Sequence, residues 1–179
     1  MPAAVIAVHV SSVHEFSKDT QDQIVLDEGL GVRGDAHYGA TVQHRSRVAV
    51  DPSQPNLRQV HLIPVEVLQT VREAGYDVQP GDLGENITTR GIDLRGLPVG
   101  TRLTIGDATV TVMGLRNPCH QINGLRSGLL KQLLRTDAAG HVERLAGVMG
   151  IVSRAGTIAP GDVITMQLPP QPMFPLTTV

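Results

Sequence analysis

Short runs of β-branched and aliphatic residues, set apart by Gly and Pro turns, recur along this chain and restrict it to a largely β fold. The clearest is Thr101 to Val112, TRLTIGDATVTV. Its alternation puts Leu103, Ile105, Ala108, Val110 and Val112 on one face of a hairpin. Gly106-Asp107 makes the turn, with Gly at the first central position of a type II′ geometry. The run Ala3 to Val10 has the same character. So do Arg47 to Val50, Val60 to Ile63, Glu85 to Thr89, Met149 to Ser153 and Asp162 to Gln167. Turn chemistry at Pro80-Gly81-Asp82, Pro98-Val99-Gly100 and Pro160-Gly161-Asp162 separates many of these short strands.

Two segments carry a helical period instead. Pro64 to Ala74 starts with Pro at a first helical position, spaces Val65, Leu68 and Val71 along one face, and has Gly75 just past its end. Leu125 to Arg135 repeats Leu at 125, 129 and 133, with Asn123 as a candidate N-cap. Its leucines read as core. Many strands with two modest helices predict a barrel or folded sheet with a few peripheral helices, not an alternating βαβ fold. A chain of 179 residues is one domain by default and buries roughly 70% of its unfolded surface. We place that domain at 1–168. The stretch 169–179 holds four prolines and is expected to be an extended or mobile tail that contributes little to stability.

A net charge of -2 and an aromatic content of 2% argue against a nucleic-acid surface, which needs a basic stripe and stacking rings. No apolar run approaches the roughly 20 residues of a membrane span, and MPAAVIAVHV lacks the basic start and cleavage site of a signal peptide. One cysteine cannot form an internal disulfide. A cytoplasmic protein is therefore expected. Thirteen of the fifteen basic residues are Arg, only Lys18 and Lys131 being Lys. Codon bias explains such a surplus, and so does recognition of phosphate or another oxyanion by the guanidinium fork.

The single cysteine stands in LRNPCHQI, Leu115 to Ile122, between the hairpin and the leucine-rich helix. A lone Cys is commonly inert packing. Arg116, three residues away, would favour its thiolate, the form that attacks or binds metal. Adjacent side chains diverge in an extended segment, so a base for Cys119 would come from elsewhere than His120. Candidates are His37, His44 and His61.

The stretch Pro80 to Cys119, PGDLGENITTRGIDLRGLPVGTRLTIGDATVTVMGLRNPC, closely resembles the core of the MOSC family, the domain named after the C-terminal part of molybdenum cofactor sulfurase. GVRGDAHYG (31–39) resembles its Gly-Asp-x-His segment. HRSRVAV (44–50) and QVHLI (59–63) resemble its following strands, and GVMGIVSRAGTIAPGDVI (147–164) its closing ones. A bacterial stand-alone member is the form implied. The resemblance implies a mainly β, barrel-based fold and a cysteine, here Cys119, that ligates molybdenum of a pterin-bound cofactor (molybdopterin) or handles sulfur. Some members reduce N-hydroxylated compounds with electrons from separate redox proteins, and others are carriers. The implied function is thus a molybdenum-cofactor-dependent oxidoreductase acting on a small N-hydroxylated substrate. The alternative is a persulfide or cofactor carrier serving a molybdoenzyme. A thiolate suits either role.

The pyridoxal-phosphate half of the sulfurase is missing, and neither lysine lies in a family motif, so no pyridoxal phosphate Schiff base is expected. A separate electron-transfer protein is implied. Cofactor contacts are expected from Arg116 first, then Arg33, Arg45 and Arg47. Asn86 and Thr88 are expected to hydrogen-bond cofactor or substrate, or else to serve turn and strand-edge chemistry. Asp35 and His37 either orient one another beside the cleft or mark a simple turn.

Overall fold

The computed structural model describes residues 2–179, apart from the side chains of Arg45 and Ser46. Strands β1 (Ala4–Val10), β2 (Asp19–Gln21), β3 (Ile24–Asp27) and β4 (Gly31–Val32) precede the short helix α1 (Arg45–Val48). Strand β5 (Val60–Pro64), helix α2 (Val65–Glu73) and strand β6 (Ile87–Arg90) follow. The hairpin is β7 (Arg102–Ile105) and β8 (Ala108–Leu115). Helices α3 (Ile122–Leu125) and α4 (Leu130–Leu133) lead into β9 (Leu134–Thr136), β10 (Val142–Arg144), β11 (Val148–Arg154), β12 (Gly156–Ile158) and β13 (Ile164–Gln167).

Eight strands form one sheet in the order β13-β7-β8-β11-β5-β6-β1-β2. Among the described strands, β5 and β6 alone form a parallel ladder, because α2 carries the chain between them. With 36% strand and 11% helix, the class is mainly β with few helices, but no sheet closes into a barrel. The nearest approach to closure is the bridge Ala4↔Val163, flanked by Val5 N donating to Asp162 O and Ile164 N to Ala3 O. That seam is far shorter than the ladders inside the sheet.

The hairpin forms as its alternation requires. Ile105 faces Ala108, Gly106 takes φ +55°, and the five apolar positions are fully buried. All five residues of β5 are buried, since the strand separates two cores. Val60 and Leu62 join the core of the sheet. Ile63 joins a second core with Leu68, Val71, Ile122, Leu129 and Leu133 from the helices.

Three local expectations differ from the structure. Arg47 to Val50 is not a strand: α1 covers Arg45–Val48, and Val48 N and Asp51 N donate to the carbonyls of His44 and Arg47. The helix expected over Leu125 to Arg135 is broken at Gly128, φ +83°, into α3 and α4. Asn123 Oδ1 accepts from Leu130 N at 3.0 Å, capping across the break. Finally, 169–179 runs along the sheet. Val99 N donates to Phe174 O, Leu115 N to Thr177 O, and Leu176 enters the core at 8% exposure. Its prolines set an extended path, which brings one apolar side chain to the sheet.

Candidate functional site

Cys119 lies in the loop between β8 and α3, partly buried. Its Sγ donates to Gln121 Oε1 at 3.6 Å. Arg116, at the start of that loop, stacks over the Phe16 ring at 5.4 Å. Its Nη1 is buried with no partner, as is Glu85 Oε2. An unpaired guanidinium nitrogen in the interior is costly unless an anion completes it. Burial lowers the Arg116 pKa, and the negative groups resisting that shift are Cys119 and Glu85.

Beside this loop opens a cavity of about 260 Å³ lined by residues that include His37, His44, Arg47, Arg58 and Val179. Among the described residues, no Asp or Glu side chain lines it. Burial, then the charges of Arg47 and Arg116, lower Arg58 to about 10, and Cys119 opposes them. Cys119 does not line the cavity, but its Sγ is within electrostatic reach of Arg58 and Arg116 together. His44 is lowered by burial, then by Arg58. The His37 ring sits 5.3 Å from His14, edge to face, and 6.3 Å from His44, near parallel. Cations crowd together here, a potential that attracts anions.

The cavity is held by a buried polar network. Asp35 Oδ2 accepts from Lys18 Nζ at 2.5 Å and Asn86 Nδ2 at 2.9 Å. Asp35 Oδ1 accepts from His37 N at 2.9 Å and lies 3.2 Å from His37 Nδ1. Burial would raise the Asp35 pKa, yet the His37 and Lys18 interactions win and keep the carboxylate ionised well below its usual range. Its side chain is 1% exposed. Asn56 binds the wall together: Nδ2 donates to the carbonyls of His37 and Gly39, and Oδ1 accepts from Arg58 N.

Beneath lies Glu85, whose Oε1 accepts from Gly81 N at 2.7 Å and Thr88 Oγ1 at 3.0 Å. Burial raises its pKa against those donors. Gly81, at φ +90°, is required here. A Cβ would stand 2.6 Å from Lys18 O and 2.8 Å from His9 Nδ1.

Of the expected contacts, Arg47 and His37 line this cavity, Asp35 braces His37 from behind, and Arg116 lies within electrostatic reach of Arg58. Arg33 does not. Its side chain is 63% exposed and bidentate on Asp27, which also accepts from Tyr38. Asn86 and Thr88 are buried in the network, Asn86 spanning His9 O, Asp35 and His61 N, so they orient the wall and do not line it. The side chain of Arg45 lies outside the described residues. As a base for Cys119, His61 is committed elsewhere: Nε2 bonds the Ala146 carbonyl at 2.7 Å, so that nitrogen carries the proton. Burial and Arg116 keep the ring neutral.

Lys18, Arg58, Asn56 and Glu85 are the participants that sequence reasoning missed. Lys18 alone left a signal, as one of two lysines in an arginine-rich chain. Among the described residues, no group of three or more His, Cys, Asp or Glu is arranged to hold a metal, and no helix is long and apolar enough to cross a membrane.

A family model described as MOSC domain matches residues 34–165. Among solved structures, the YuaD protein from Bacillus subtilis is similar with a TM-score of 0.76 at 24% identity, over 95% of this chain and 98% of that one. YiiM from Escherichia coli gives 0.62 at 21% identity, covering 97% and 73%. YiiM from Geobacillus stearothermophilus gives 0.63 at 15%, covering 97% and 80%. At such identities the likeness speaks to the fold alone. No curated protein matches the chain.

Proposed function

The chain belongs to the MOSC domain family, and on that footing we propose that it is a molybdenum-cofactor-binding oxidoreductase that reduces small N-hydroxylated compounds. The observation that carries this reading is the orphaned, buried Nη1 of Arg116 beside a cavity lined by Arg47 and Arg58 and, among the described residues, by no Asp or Glu side chain. These donors fit an anionic cofactor. A bare divalent cation would be repelled, and one thiol cannot hold it alone.

The Cys119 thiolate would be the protein's ligand to the metal, and Arg116, Arg47 and Arg58 would hold phosphate or oxo groups by charge-assisted hydrogen bonds. When bound, the cofactor supplies the two-electron chemistry that no side chain of this protein can. The protein's own part is orientation and proton handling. Asp35 accepts from Nδ1 of His37, leaving Nε2 of that cavity-lining ring to accept or release a proton. The ring's own bond to Asp35 and the Lys18 charge keep that carboxylate ionised, so the ring holds its tautomer as the cavity fills. Electrons would come from a separate redox protein, and the reaction would take place in the cytoplasm.

The partly exposed Sγ of Cys119 also suits a persulfide, the carrier reading. Protein made in cells that synthesise the cofactor separates the two. The oxidoreductase co-purifies with molybdenum and pterin near one per chain and reduces an amidoxime when supplied with a reduced viologen dye. Folded protein without molybdenum, carrying one additional sulfur on Cys119, would instead establish the carrier.

A further inference from the structure

The segment 174–179 reaches the cavity by pairing with the strand that leads to Cys119. Leu115 N donates to Thr177 O at 2.8 Å, Val179 N approaches Leu115 O at 3.4 Å, and Leu115 bridges Thr178 in parallel. The next residue in the chain is Arg116. The strand is shaped for this contact at Gly114, where a Cβ would fall 2.5 Å from both Thr177 O and Val179 Cγ1. Any side chain there would push the segment away. At its far end the segment lines the cavity through Val179, and Arg58 Nη2 donates to Val179 O.

Arg58 is the informative partner. It is a cavity-lining cation whose charged neighbours include Arg47 and Arg116, and Val179 O takes a donor that an incoming oxyanion would use. The cavity, at about 260 Å³, is smaller than the roughly 300–1,000 Å³ usual for ligand sites. Part of its wall is this segment.

We propose that residues 177–179 form a strap that acts as an internal stand-in ligand, occupying Arg58 and narrowing the cavity until an oxyanion group of the incoming ligand displaces it. The identity of that group, as part of the cofactor, rests on the functional reading above. The displacement itself does not. Loading is then a competition between Val179 O and an oxyanion for Arg58, and the strap shuts the cavity when it is empty.

The test uses orthophosphate as probe, with affinity read by isothermal titration calorimetry on the full chain and two variants. Deletion of 177–179 removes the competitor and keeps Leu176. Gly114→Ala displaces the strap without shortening the chain, which preserves the test if the deletion does not fold. Both are expected to bind orthophosphate about tenfold tighter than the parent, the worth of one additional charge-assisted hydrogen bond. Arg58→Gln introduced into either variant should abolish that gain. Equal or weaker binding by both variants would overturn the strap and make the segment a plain wall. Absence of orthophosphate binding in every form would overturn the oxyanion reading of the cavity together with it.

Discussion

His9 is fully buried and makes acid the clearest perturbation of this fold. Its ring lies between two hydroxyls, Nε2 at 3.2 Å from Thr88 Oγ1 and Nδ1 at 3.2 Å from Thr20 Oγ1. Burial, with the Lys18 charge beside it, lowers its pKa from 6.5 to about 4. The folded protein therefore resists a proton that the unfolded chain takes up near pH 6.5, and stability must fall as pH drops from 6.5 toward 4. Linkage with those two values gives a loss of about 2–3 kcal/mol between about pH 7.5 and pH 4.5. His61 and His44, also lowered, act in the same sense. Glu85, whose folded pKa is raised, acts oppositely, its contribution being full at low pH and lost as pH rises. The comparison that isolates His9 is urea unfolding of the parent and His9→Gln across this range. The variant loses stability at neutral pH through weaker hydrogen bonds, but its curve should be flatter by about 2–3 kcal/mol. Parallel curves would refute the argument, since they would mean that His9 binds its proton equally in both states.

Other perturbations follow from the same contacts. Lys18→Met leaves the buried Asp35 carboxylate without its cation and should cost about 3–5 kcal/mol in urea unfolding; a loss under about 1 kcal/mol would mean that the ion pair is solvated. Leu176→Ala should cost about 2–3 kcal/mol, as for other core leucines, and lower the melting temperature in calorimetry, whereas an unchanged value would return 169–179 to the mobile tail expected from its prolines. Arg33→Ala should leave both stability and orthophosphate affinity unaltered, because solvent screens an exposed pair such as Arg33 with Asp27, while Arg47→Ala should weaken orthophosphate binding severalfold; the reverse pattern would place the oxyanion site elsewhere.

The parts of the fold that were legible in the sequence are those where local periodicity and turn chemistry agree. The hairpin of β7 and β8 is the best case, since Gly106 can take its positive φ and the alternation on either side leaves one register. The leucines at 129 and 133 were readable as core, but their period implied one helix because it continues through Gly128, which interrupts the backbone without interrupting the pattern. Arg47 to Val50 misled for the opposite reason: alternation over four residues is also produced by a single helical turn. Around the site, the loop holding Cys119 and Arg116 and the Asp35-x-His37 segment were visible as local motifs. Arg58 and Asn56 were not, because their roles come from contacts with His37, Gly39 and Val179 that no local pattern encodes. Asn86 and Thr88 were found for a different role from the one they fill, since a polar residue on a strand is equally suited to touch a ligand or to brace a neighbour.

X-ray absorption at the molybdenum edge tests the proposed ligation by Cys119 at the bond concerned. Protein purified with its cofactor should show one more sulfur around the metal than the Cys119→Ser variant, prepared in the same way and folded with a melting temperature close to the parent's. If the parent and the variant hold molybdenum in equal amount with identical sulfur shells, Cys119 is not a ligand and the account of this site is wrong.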